Sequence, residues 1–136
     1  MIRVVVDTNI LVSALLQPKG LPAAVLILAL SGQVELCISE AVLDEYEEVI
    51  RRPHLKRDPA VVERAIQAIR KVGRWVKPAM HIDACGDPDD NMFLECAQAR
   101  NADYLVTGKR HFPDRWKKTE VIGVRELLEK LIEKRG

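Results

Sequence analysis

Three cysteines in 136 residues, Cys37, Cys85 and Cys96, are odd in number and widely spaced, which argues against a disulfide framework or a zinc knuckle. Such usage fits a reducing compartment, and a cytoplasmic location is expected. No apolar run approaches the ~20 residues that a membrane span needs. The richest, Ala23 to Leu30, lies between Pro22 and Gly32 and reads as a buried helix. The chain opens directly into a strand, without the basic n-region or cleavage site of a signal peptide. No glycine-rich turn follows that strand, so a dinucleotide-binding Rossmann domain is excluded. Gly108-Lys109 lacks the upstream glycine and the following Ser or Thr of a P-loop. Charge of one sign is not in excess either: 21 Lys and Arg stand against 20 Asp and Glu.

What is present is enough for one globular domain, residues 1–136, with an apolar content near half. Its charges come in blocks. Met1 to Ile50 holds two basic and seven acidic residues, and Arg51 to Met80 nine basic and two acidic. His81 to Leu105 then carries one basic and six acidic, and Val106 to Lys118 five basic and one acidic. Alternating blocks suit either solvated helix faces or a site with an acidic pocket and a basic rim.

Ile2-Arg3-Val4-Val5-Val6 is short, β-branched and apolar, the pattern of a buried strand, and Asp7 ends it. Thr8 or Asn9 caps a helix over about Asn9–Leu16, and Pro22 and Gly32 bound a second helix. Val34–Ile38 is a second strand; Ser39 caps a helix from Glu40 to about Arg51. Asp58-Pro59 opens a helix that Gly73 closes. Trp75 and Val76 form a short extended segment, and Ala79–Gly86 a loop. The acid-rich Asp87-Pro88-Asp89-Asp90-Asn91 starts a helix reaching about Arg100. Tyr104–Thr107 and Glu120–Val124 are further strands, separated by a polar and aromatic stretch. Arg125–Glu133 is a final helix. Strands alternating with helices predict a three-layer α/β/α domain with a mostly parallel sheet.

Helix geometry selects which acids point inward. A carboxylate at the end of a central parallel strand, as at Asp7, stands where open α/β sheets bind ligands. On the helix after Ser39, turning about 100° per residue puts Asp44, Glu47 and Glu48 outside the apolar arc. Glu45 falls at its edge, beside Ala41, Val42 and Val49. Phe93, Leu94 and Ala97 share a face with Asp90, whereas Asp87 and Asp89 suffice as helix-start caps. Asp7, Glu45 and Asp90 form the kind of oxygen-donor set that Mg²⁺ or Mn²⁺ prefers.

Four stretches carry a resemblance over nearly the whole chain. They are Val4-Val5-Val6-Asp7-Thr8-Asn9-Ile10-Leu11-Val12-Ser13, Ser39 through Glu45, Asp87-Pro88-Asp89-Asp90-Asn91 through Ala97, and Ala102-Asp103-Tyr104-Leu105-Val106-Thr107-Gly108. In this order and spacing the chain resembles the PIN-domain nucleases, and among them the VapC-like toxins of toxin–antitoxin pairs. The resemblance implies four or five parallel strands flanked by helices, and acids clustered at the sheet's carboxyl edge around Mg²⁺ or Mn²⁺. It also implies metal-dependent hydrolysis of RNA phosphodiesters, a homodimer and a cognate antitoxin. Asp7, Glu45 and Asp90 match the first three family acids as metal ligands and catalytic groups. Thr107 matches a hydroxyl residue beside the site, and Asn9 a polar residue bracing the first acid.

One position departs from the pattern. Where the family places an aspartate directly after Thr-Gly, this chain has Lys109, followed by Arg110 and His111. The three-acid site can work alone, with Lys109, Arg110 and His111 toward substrate. Asp87 or Asp114 can supply an extra acid. A third reading is a weakened nuclease serving as an RNA- or partner-binding module, with Lys109, Arg110, Arg115, Lys117 and Lys118 on phosphate and Trp116 as a stacking face. A haloacid dehalogenase-type phosphatase needs a second aspartate two residues after the first, where this chain has Asn9.

Overall fold

A computed structural model describes every residue except Lys56, Arg57, Lys109, Arg110 and Gly136, and the backbone alone of His54 and Arg135. The order is β1 (Arg3–Val6), α1 (Thr8–Leu16), α2 (Leu21–Leu30), β2 (Glu35–Ile38), α3 (Glu40–Ile50), α4 (Pro59–Val72) and β3 (Arg74–Trp75). Then follow α5 (Asn91–Arg100), β4 (Tyr104–Val106), β5 (Arg115–Trp116), β6 (Thr119–Ile122) and α6 (Val124–Arg135). Pro53–Leu55 and Pro88–Asp90 are single 3₁₀ turns.

The described strands form one sheet in the order β3-β2-β1-β4-β6-β5. All neighbours are parallel except β5 and β6. The chain builds outward from β1 through β2 to β3, then returns to the other side of β1 at β4. That reversal makes the carboxyl end of β1 the crevice position of an open α/β sheet. Successive strand residues point to opposite faces, yet Val4, Val5 and Val6 are all buried. Both faces of β1 are therefore covered, as the three-layer reading requires.

The expected count of four or five strands becomes six, because two-residue β3 and β5 add to the four longer ones. β5 lies in the stretch read only as polar and aromatic, and it turns back antiparallel on β6 through Lys117-Lys118, with Lys117 at φ 54°. Two residues carry no readable periodicity. A second correction concerns α1, whose N-cap position is Asp7 and not Thr8 or Asn9. Its backbone carbonyl accepts from the N–H groups of Ile10 and Leu11. Ser39 and Asp58 cap α3 and α4 through their side chains as expected, and Asn101 closes α5 in the left-handed conformation, φ 53°.

Gly73 serves close packing. A Cβ there would stand 2.5 Å from Ile38 Cδ1 and 2.8 Å from the Ile69 carbonyl, so the end of α4 could not settle on β2. At the edge where the parallel strands begin, Arg100 grips Glu35 with two hydrogen bonds of 3.1 Å, and Arg3 donates to the Arg100 carbonyl. The Arg100 hydrogen bond holds the Glu35 carboxyl below the ordinary range, and this network ties β1, β2 and α5 together. Among the described residues no single helix is long and apolar enough to cross a membrane. The apolar helix α2 buries Ala23, Val25 and Ala29 but leaves Ile27 61 % exposed.

Candidate active site

Asp7 follows the last residue of β1, and its backbone N–H continues the ladder by donating to the Val106 carbonyl at 3.0 Å. The side chain is fully buried. Thr107, the residue after β4, donates its hydroxyl to Asp7 Oδ2 at 2.7 Å. Tyr46, buried in α3, donates its phenol to the Val6 carbonyl, fixing the strand one residue before the acid. Burial holds the Tyr46 phenol protonated far above its usual range, and nearby Cys96 and Asp7 act in the same direction.

Around Asp7 opens a cleft of about 180 Å³ lined by Asp7, Thr8, Asn9, Glu45, Val49, Arg52, Asp87, Asp89, Asp90 and Phe93. The three acids selected from sequence therefore share one cleft. Glu45 is half-buried on the face of α3 where helix geometry placed it. Asp90, 3 % exposed, ends the 3₁₀ turn and occupies the N-cap position of α5, one step before its expected place inside the first helical turn. A carboxylate there also complements the helix dipole. Asp87 caps the turn by accepting from the Asp89 N–H at 3.0 Å, as its sequence position suggested.

Residues outside the expected set hold this wall in place. Asn91 is buried, and its side-chain oxygen accepts from the N–H groups of Ala84 and Cys85 at 3.2 and 3.0 Å, strapping the preceding loop to α5. Glu95 accepts from the Ile82 N–H at 3.0 Å. Thr8 Oγ1 is buried in the cleft wall and makes no hydrogen bond among the described residues. Arg52 brings a cation to the lining.

Other expectations land elsewhere. Asn9 lines the cleft but is exposed and makes no hydrogen bond to Asp7 among the described residues; Thr107 does the bracing. His111 is exposed and outside the lining, its carbonyl accepting from the Gly86 N–H. Asp114 is also exposed and outside the lining, tied by its carbonyl to Val121 N–H. Lys109 and Arg110 lie outside the described residues. Arg115, Lys117 and Lys118 belong to the β5–β6 hairpin, whose turn sits where the parallel strands begin. By register Thr119 lies near the level of Arg3, so the turn is roughly 13 Å from Asp7 along the strands and at least two strands across. These basic residues do not rim the cleft. Trp116 is half-buried and donates to Gln98 Oε1 at 2.7 Å, while Trp75 is 46 % exposed.

The donor set suits a hard divalent ion: carboxylates from three elements, the neighbouring Thr8 hydroxyl, and room for water in the remaining coordination positions. As the side chains stand, no three acidic, histidine or cysteine groups among the described residues are gathered tightly enough to clasp an ion.

Residues 3–111 match the PIN domain family, and the chain belongs to that family, whose members are generally nucleases. It is 29 % identical over 112 residues to the uncharacterized protein MJ1680 of Methanocaldococcus jannaschii, covering 80 % of this chain and 72 % of that protein. Its fold is similar to a chain of the VapBC2 complex from Rickettsia felis, solved bound to a DNA fragment from its promoter. The TM-score is 0.60 at 16 % identity, with 90 % of this chain and 98 % of that chain covered.

Proposed function

We propose that this protein is a Mg²⁺- or Mn²⁺-dependent endoribonuclease, the toxin of a toxin–antitoxin pair. The observation that carries the reading is a buried Asp7, at the end of the central strand of a PIN domain, sharing one cleft with Glu45 and Asp90. These three carboxylates would hold the metal, and Thr107 orients Asp7 through its hydroxyl. When bound, the ion would polarise the scissile phosphate and lower the pKa of the attacking water. Val49 and Phe93 supply the apolar part of the lining, and exposed Asn9 lines the cleft with Asp7 and Thr8.

The VapBC2 likeness supports a cognate antitoxin as partner. Exposed Leu16, Leu21 and Ile27 on α1 and α2, and Ile132 on α6, offer apolar surface for that antitoxin or for a homodimer.

The test is thermal. Mn²⁺ at about a hundredfold over its Kd adds about 2.7 kcal/mol to the folded state, on the order of 10 °C in Tm, and Asp7→Asn abolishes the shift. RNA cleavage with Mn²⁺ is then lost in Asp90→Asn. No shift and no cleavage in the wild type sinks the reading.

One observation favours a second reading, a catalytically weakened PIN domain acting as a binding module: Lys109 stands where the family resemblance implies an aspartate. An inert wild type with cleavage restored by Lys109→Asp selects it.

A further inference from the structure

Glu45, Val49 and Arg52 are spaced four and seven residues apart, and all three line the cleft. They form one stripe along α3 and its C-terminal extension, as helical spacing requires. Arg52 is the one basic side chain among the described residues that line an otherwise acidic cleft. Its backbone is held by the helix end: its N–H donates to the Val49 carbonyl at 3.2 Å, and its carbonyl accepts from the Leu55 N–H at 3.1 Å. The guanidinium itself is only lightly held. One nitrogen reaches Glu48 Oε1 and Oε2 at 3.0 and 3.2 Å, and both side chains are about half exposed or more. Exposed i,i+4 pairs of this kind contribute only tenths of a kcal/mol, so a better anion displaces Glu48 at small cost.

A nucleic-acid strand entering the cleft brings a negative charge per nucleotide to a lining with five carboxylates and, among the described residues, one cation. Resting on the nuclease reading above, we propose that Arg52 is a substrate-binding residue, leaving Glu48 to take a phosphate a few nucleotides along the strand from the scissile one. Five helical residues and the capping turn place it roughly 10 Å along the axis from Glu45, about three nucleotides of stacked strand. It thus holds the strand beside the reacting bond without touching that bond. A guanidinium suits this role because its fork matches two phosphate oxygens.

The experiment measures anisotropy of a short fluorescent single-stranded RNA in Ca²⁺ across a salt series, alongside steady-state cleavage in Mn²⁺. Arg52→Gln weakens binding about tenfold at low salt and flattens the log–log salt slope by about 0.7, the loss of one phosphate contact. It raises KM and leaves kcat within about twofold. Glu48→Gln, which releases Arg52 from its competitor, tightens binding. If Arg52 merely caps the helix end, both variants shift Tm slightly and leave the salt slope and KM as in the wild type, which overturns the proposal. A wild type that cleaves RNA while Arg52→Gln matches it in binding defeats this inference alone. A wild type that neither binds nor cleaves RNA defeats the nuclease reading with it.

Discussion

Thr107 and Asp7, a hundred residues apart in sequence, meet in a buried hydrogen bond of 2.7 Å. The bond joins the ends of adjacent parallel strands, so the hydroxyl sets the rotamer of the acid from the neighbouring strand. Thr107→Val keeps the shape and removes the donor. Its expected cost is about 1–3 kcal/mol, because a buried carboxylate oxygen loses a partner. Mn²⁺ affinity measured by calorimetry falls, while Thr107→Ser retains most of it.

Tyr46 acts one residue earlier, on the Val6 carbonyl. Tyr46→Phe leaves the ring packing intact and strands a buried carbonyl, which costs about 1–3 kcal/mol in chemical denaturation. The end of β1 is then less firmly placed, and kcat falls with little change in KM, the opposite split from Arg52→Gln. A variant as stable and as active as wild type would remove Tyr46 from the support of the site.

Burial pushes the Cys37 and Cys96 thiols up to about 12, and that of half-buried Cys85 to about 11. Unfolded thiols titrate near 8.5. The folded state binds these protons more tightly, so their contribution is intact below that value and is lost as pH rises toward 12. The denaturant midpoint should hold steady to about pH 8.5 and then fall, by up to 1.36 kcal/mol per pH unit for each thiol. In the folded protein a thiol-reactive dye should label Cys85 first, with Cys37 and Cys96 reacting only on global unfolding. Rapid labelling of Cys37 at neutral pH would contradict its burial.

The parts of the fold that could be read from sequence are those with a period or a punctuation mark. β1, β2 and β4 stand out as short β-branched or apolar runs, and α3 and α4 through Ser39, Asp58 and the prolines beside them. Glu45 and Asp90 could be picked out because a helix repeats every 3.6 residues, and an acid on the apolar side breaks the repeat. β5 could not, since its two residues gain their strand character only from pairing with β6. Arg52 was hidden by a different effect: it lies past the end of α3, where a basic residue already has a reason to be. Asn91 looked like one more polar residue in an acidic helix start, and its role depends on a loop whose path the sequence does not encode locally. The basic residues of the hairpin lie away from the cleft, because proximity in sequence to Thr107 says nothing about which end of the sheet a turn occupies.

The central position of β1 bears on how the protein is made. Its first strand emerges from the ribosome long before β4, yet the backbone of Val106 and the hydroxyl of Thr107 both hold Asp7. A nascent chain that ends just after Asp90 carries all three acids but neither β4 nor Thr107. Because closing that long loop is a late event in folding, the cleft stays unassembled until most of the domain has left the exit tunnel. The site is thereby completed only when the sheet on both sides of β1 is in place.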